Sequence, residues 1–198
     1  MKTILRSLAF FTAINLSGCC FVSLPDKHIS FTSDDKKLIH YNKNDESRMV
    51  SDSGDTIKIT VSNKNTDTPS STCGGSMCEC DQYETCVVNF SVINNKDTTT
   101  NSYINADKQN NNLNMEFSIA VSNEIYYANL TLDNQRIPSK NALFHYLLNI
   151  NGHSYLNVYE LTYFNFYPGG KKSQIFYNES FGIIKLAKDS AKTWTLVK

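Results

Sequence analysis

The pair Asn151-Gly152, set between the apolar runs 143–150 and 153–161, constrains the fold more than any other feature of this sequence. A two-residue connection between strands calls for a type I′ turn, with positive φ at both central residues, and Asn-Gly tolerates that conformation best. The turn fixes a register in which Ile150 faces His153, Leu148 faces Tyr155, Tyr146 faces Asn157 and Phe144 faces Tyr159. One side of this hairpin is then largely apolar and aromatic, while Leu143, His145, Leu147, Leu156 and Val158 share the other. With both faces apolar, the hairpin is expected to lie centrally in a sheet, covered on both sides.

The rest of the chain repeats the theme. Short runs rich in Ile, Val, Phe, Tyr and Thr fall at 29–32, 37–41, 56–62, 86–93, 115–122, 125–132, 174–177, 181–186 and 193–197, separated by polar turns. Turns are predicted at Pro168-Gly169-Gly170, Asn178-Glu179-Ser180 and Asp189-Ser190-Ala191-Lys192. No long stretch keeps the 3.6-residue period of a helix, although 141–148 admits a short one. The predicted fold class is all-β, a mainly antiparallel meander forming a sandwich or a partly open barrel, with at most one or two short helices. Trp194, in the last run, implies that the final strand is tied into the sheet. Residues 94–114 break the rhythm, with only Tyr103, Ile104 and Leu113 to bury, and are expected to form a mobile or disordered polar excursion.

The N-terminus carries a different signal. Lys2 and Arg6 lead into an apolar run at 8–16. That run is too short to cross about 30 Å of hydrocarbon, which takes roughly 20 apolar residues, and has the length of a signal-peptide core. Leu16-Ser17-Gly18-Cys19 follows directly and resembles the bacterial lipobox. The resemblance implies cleavage before Cys19 and lipidation of that cysteine. The expected organisation is a signal peptide at 1–18, a lipidated tether at 19–28 and a single β domain at 29–198. Two or three acyl chains hold a protein to a membrane stably where one does not, so the membrane is an expected partner through the anchor. The whole chain balances 19 basic against 19 acidic residues. Loss of Lys2 and Arg6 leaves a slight acidic excess, which argues against nucleic acid as a partner.

Beyond Cys19 and Cys20, the cysteines are Cys73, Cys78, Cys80 and Cys86, a cysteine loop at 73–86. An even count in an exported chain reads as two disulfides, with the pairing left open. A Cys78–Cys80 bond is disfavoured because its ring would be very small. Zinc is the rival reading, but the intervals are not the repeated two-residue spacing of zinc ribbons, and no metal site is expected. Glu79, Asp81 and Glu84 read as the solvated face of the same loop.

Two further stretches, NINGHSYLNVYEL and QIFYNESFGIIKL followed by TWTLVK, resemble the C-terminal region of small β-rich envelope lipoproteins of Bacteroidetes-type bacteria. The resemblance covers about the last sixty residues plus the lipobox. It implies a cell-envelope location, lipid-anchored on the outer membrane and facing the periplasm. Surface display in that group goes with acidic residues after the lipidated cysteine, and Cys20 to Leu24 carry no charge. The group brings no catalytic residue to carry over.

The residues themselves offer little chemistry. No phosphate-cradling glycine loop, Gly-x-Ser-x-Gly or His-Glu-x-x-His occurs, so neither a cofactor nor a catalytic site is expected. The register sets His145 and His153 on opposite faces, and His28 and His40 stand apart. Asp34-Asp35 and Asp45-Glu46 sit among lysines and read as solvated charge. The aromatics Tyr126, Tyr127, Tyr155, Tyr159, Tyr163, Phe164, Phe166, Tyr167, Phe176 and Tyr177 read first as core, and second as a binding surface. The expected role is non-enzymatic, binding or structural, with an envelope protein, lipid or glycan as partner. A lipid carrier with an apolar cavity and a glycan-binding accessory lipoprotein are the alternatives.

Overall fold

The computed structural model describes residues 28–74, 79–94, 97–109, 111–164, 172–189 and 192–197. Within them the chain runs through β1 (His28–Ile29), α1 (Ser33–Leu38), β2 (Glu46–Ser51), β3 (Thr56–Gly74), β4 (Glu79–Asn94), β5 (Asp97–Gln109) and β6 (Asn112–Val121). It continues through β7 (Glu124–Leu132), β8 (Ala142–Ile150), β9 (His153–Phe164), β10 (Lys172–Asn178), β11 (Gly182–Lys188) and β12 (Trp194–Leu196). The fold is all-β, with one short helix among the described residues. Strand order across the sheet is β7-β6-β5-β4-β3-β2-β12-β11-β10-β9-β8. Every neighbouring pair on that path is antiparallel, and β1 pairs with β4 in parallel. The sheet is therefore two meanders, β2–β7 and β8–β12, joined where β12 lies beside β2.

The sheet rolls up because each strand buries alternate residues. Val88, Phe90 and Val92 of β4, Met115, Phe117 and Ile119 of β6, and Tyr126, Ala128, Leu130 and Leu132 of β7 all point inward and are buried. Ile175 and Tyr177 of β10 and Trp194 of β12 meet them across the interior. The roll closes where β7 packs over β9, β10 and β11. This seam uses side chains in place of a ladder. The Tyr127 N–H donates to Ser173 Oγ at 3.0 Å, the Tyr126 hydroxyl donates to the Lys192 carbonyl at 2.8 Å, and Lys188 pairs with Glu124. The Tyr127 and Tyr163 rings meet edge-on at 4.7 Å. Because β7 closes on the middle of the second meander, β8 lies beyond the seam.

One end of the roll is stoppered by α1. Thr32 caps it reciprocally: its hydroxyl accepts from Asp35 N at 3.2 Å, and the Asp35 carboxylate accepts from Thr32 N at 2.8 Å. Leu38 and Ile39 then enter the core. Asp35 also takes a 2.6 Å bond from buried Lys108, with Arg136 3.5 Å away. Burial alone would raise the Asp35 pKa, but its hydrogen bonds from Lys108 and Thr32 hold it below the ordinary 3.8. The Tyr177 hydroxyl donates to the Leu38 carbonyl, and Lys64 Nζ donates to the Ile39 carbonyl at 2.7 Å.

Four expectations need correction. The run 37–41 is the end of α1 and the turn after it, since the capping box starts a helix that the apolar residues at 38, 39 and 41 continue to bury. The excursion at 94–114 contains β5, whose inward positions Ser102, Ile104, Ala106 and Lys108 are buried. Small residues and one neutralised lysine fill those positions, so the period of two is present without many apolar residues. Asp35 is an interior ion-pair member and not a solvated charge. The Asn151-Gly152 hairpin is the edge of the sheet and not its centre.

Candidate functional site

The turn chemistry of that hairpin is as expected. Asn151 and Gly152 have φ of 48° and 81°, and Ile150 pairs with His153, Leu148 with Tyr155 and Phe144 with Tyr159. What surrounds the hairpin is not as expected. β9 is flanked by β8 and β10, whereas among the described residues β8 is the last strand of the path. Leu143, Phe144, Tyr146 and Leu147 are 60%, 45%, 73% and 54% exposed, and Leu156 beside them on β9 is 55% exposed. These side chains alternate between the two faces of the strand, so both faces are open. Sheet edges are ordinarily blunted by charge, proline or a bulge. β8 has no Asp, Glu, Lys or Arg and no proline, and its register with β9 is unshifted.

Beside this edge lies a groove of about 500 Å³, lined in part by Gln135, Arg136, Phe144, Asn157, Tyr159 and Glu179. The Phe144 and Tyr159 rings lie 5.2 Å apart at its wall. Burial, helped by the nearby Glu179 carboxylate, pushes the Tyr159 hydroxyl up to about 12, so it stays protonated as a donor. Asn157 adopts φ of 55° within β9, and Val158 beyond it joins Ile150, Tyr155, Phe176, Ile184 and Leu196 in a second apolar cluster. That cluster is closed over by Phe181, edge-on to Tyr155 at 5.8 Å, and by the Lys185 ammonium 4.9 Å above Phe176. A second cleft, of about 430 Å³, is lined among others by His40, Asp45, Arg48, Phe181 and Leu196.

The residues picked from sequence scatter. Cys19, Cys20 and Cys78 lie outside the described residues, as do the side chains of His28, Cys73, Cys80, Phe164, Phe166 and Tyr167. The β3–β4 backbone register sets Cys73 opposite Cys80. Cys86 is a free, buried thiol, opposite Thr66 and Ala106, and its Sγ accepts from Thr66 Oγ1 at 3.7 Å. Six positions further along β4 than Cys80, Cys86 has no cysteine across from it in the ladder. Glu84, read as part of a solvated loop face, accepts from Phe31 N at 2.8 Å and is buried.

His145 bonds Glu160 at 2.9 Å, and Gln174 also donates to Glu160 at 2.8 Å, while His153 sits exposed at the hairpin tip. The two histidines do not meet. His40 is partly buried and stacks on Tyr41 at 5.0 Å. Most of the selected aromatics whose side chains are described are core, as the first reading had it: Tyr126, Tyr155, Tyr159, Phe176 and Tyr177 are buried. The exposed apolar residues of β8 were not singled out as a site. An apolar strand awaiting a cover and one already covered carry the same local pattern, and strand order alone separates them. No family model, curated protein or solved structure matches this chain.

Proposed function

We propose that this chain is an envelope lipoprotein, anchored through lipid on Cys19, whose β domain acts by binding a partner along the free edge of β8. The observation that carries the reading is a nine-residue edge strand, without Asp, Glu, Lys or Arg and exposed on both faces. Strand addition suits such an edge: main-chain hydrogen bonds supply affinity and side chains on alternate faces supply specificity. Contiguous apolar exposure of this kind marks interaction surfaces. The carrier alternative finds less support, since large side chains such as Phe90, Phe117, Tyr126 and Tyr177 fill the interior.

A second reading has its own observation. Phe144 stands exposed beside a groove that also presents Arg136, Asn157 and Glu179, a pairing of aromatic surface with planar polar groups that suits a glycan.

The test is photocrosslinking in the native membrane from position 146, with exposed Asn129 of β7 as the control position, alongside acyl labelling of the parent and of Cys19→Ala. A macromolecular adduct at 146 and none at 129, with label lost in the alanine variant, is the expected result. Equal or absent adducts would overturn the docking edge, and label persisting without Cys19 would overturn the anchor. Turnover of envelope glycans, esters or peptides by the purified chain would count against a binding role.

A further inference from the structure

The docking edge is also complementary to itself. We infer that β8 pairs with β8 of a second copy, antiparallel about a two-fold axis at Tyr146. This rests on the reading that the edge takes a partner strand.

The direction of the backbone groups follows from the turn. In a hairpin closed by a two-residue turn, the residues flanking the turn exchange both hydrogen bonds. Ile150 is paired with His153 in this way, so the even positions of β8 turn their N–H and C=O groups toward β9. Leu143, His145, Leu147 and Asn149 turn theirs outward. A two-fold axis at Tyr146 brings His145 opposite Leu147 of the second copy and Leu143 opposite Asn149, so every outward position meets an outward position. The even positions become the close, non-hydrogen-bonded pairs: Tyr146 against Tyr146, and Phe144 against Leu148.

The side chains agree with that register. Every pair on the Tyr146 face is apolar or aromatic, the kind that stabilises neighbouring strands by roughly 0.2–1 kcal/mol each. Ala142–Ile150 contains no Asp, Glu, Lys or Arg, and the axis sets His145 opposite Leu147 and not opposite its own copy, so the symmetric pairing opposes no like charges. Both faces of β8 are open, and a second β8 brings apolar groups to both at once. A single helix or an apolar plug would cover only one. An aromatic side chain offers about 150–250 Å². On that scale the exposed parts of Leu143, Phe144, Tyr146, Leu147 and Leu156 supply on the order of 500 Å² per copy, near the ~600 Å² per partner at the lower end of stable interfaces. Such closed two-fold contacts are the commonest form of self-association.

The experiment uses the full chain in the membranes of its host and, for mass, in detergent extracts. Tyr146→Cys and Phe144→Cys are oxidised in parallel with the parent. The register predicts a disulfide-linked dimer through position 146, where Cα atoms lie ~4.5 Å apart. It predicts none through 144, since residue 144 of one copy lies four positions, ~14 Å, from its counterpart. Tyr146→Lys, which sets two ammonium groups against each other at the axis, should raise the dimer dissociation constant at least ~10-fold by light scattering, with an unchanged far-ultraviolet spectrum. Equal crosslinking at 144 and 146, no crosslink at either, or a parent that stays monomeric at every concentration would overturn the pairing. A monomeric parent whose residue 146 photocrosslinks to a different protein or to glycan would overturn the second copy and leave the docking edge standing.

Discussion

Gly182 shows how closely a single position can be specified. It opens β11 at φ of 71°, and a Cβ there would overlap the ring of Tyr41. That ring cannot yield easily. Its hydroxyl accepts from Ile183 N at 2.9 Å, and its face meets Phe90 edge-on at 5.1 Å and Tyr177 at 6.5 Å. Gly182→Ala therefore combines an unfavourable backbone with an overpacked contact, and is expected to cost roughly 2–4 kcal/mol. Denaturant titration with an unchanged m-value checks this, and a loss under 1 kcal/mol would show that Tyr41 moves freely. The sequence marks Gly182 only as part of the strand run 181–186, because its contact is with a residue 141 positions away. Asn151-Gly152 was legible for the opposite reason: its constraint is entirely local, and its φ values follow from two adjacent residues.

Elements divide along the same line. Strands with alternating apolar residues, such as β6 and β7, are readable because burial itself sets their period. β5 is hidden because its inward residues are Ser102, Ile104, Ala106 and Lys108, and Lys108 is tolerable inside only through Asp35 on a helix 73 positions earlier. β2 is hidden similarly, with Met49 its one apolar residue buried in the core. The β3–β4 hairpin adds a backbone register to what cysteine spacing alone left open. Its register opposes Cys73 to Cys80 and leaves Cys86 alone and buried. Peptide mapping of the chain from its native host under non-reducing conditions should find Cys73 joined to Cys80. Cys86 should be alkylated only after denaturation. A bond that includes Cys86 would require β3 and β4 to pair differently.

At the scale of the whole molecule, stability is coupled to protonation through the stopper and its surroundings. Burial lowers the His40 pKa below 6.5, so the unfolded chain takes that proton first. Stability should then fall as pH drops below about 6.5. Asp35 is also held below its ordinary 3.8; its contribution is present above that value and is lost as pH falls through the lower, folded pKa. Unfolding free energy measured between pH 8 and 3 should decline in two stages. His40→Gln should abolish the upper stage and Asp35→Asn the lower. A single stage surviving both substitutions would place the coupling elsewhere.

The junction of β2 with β12 has a further consequence, one of timing. The two meanders are each assembled from neighbours in sequence, but they share a ladder only where Val50 meets Thr195, 145 residues later. Contacts of such separation are slow to form, because loop closure precedes any gain. As synthesis proceeds from the N-terminus, the first meander has no strand beside β2 until 194–196 emerge, so the sheet completes last at its own midpoint. A chain built this way cannot close its sheet before synthesis reaches the last strand, however early its two halves take shape.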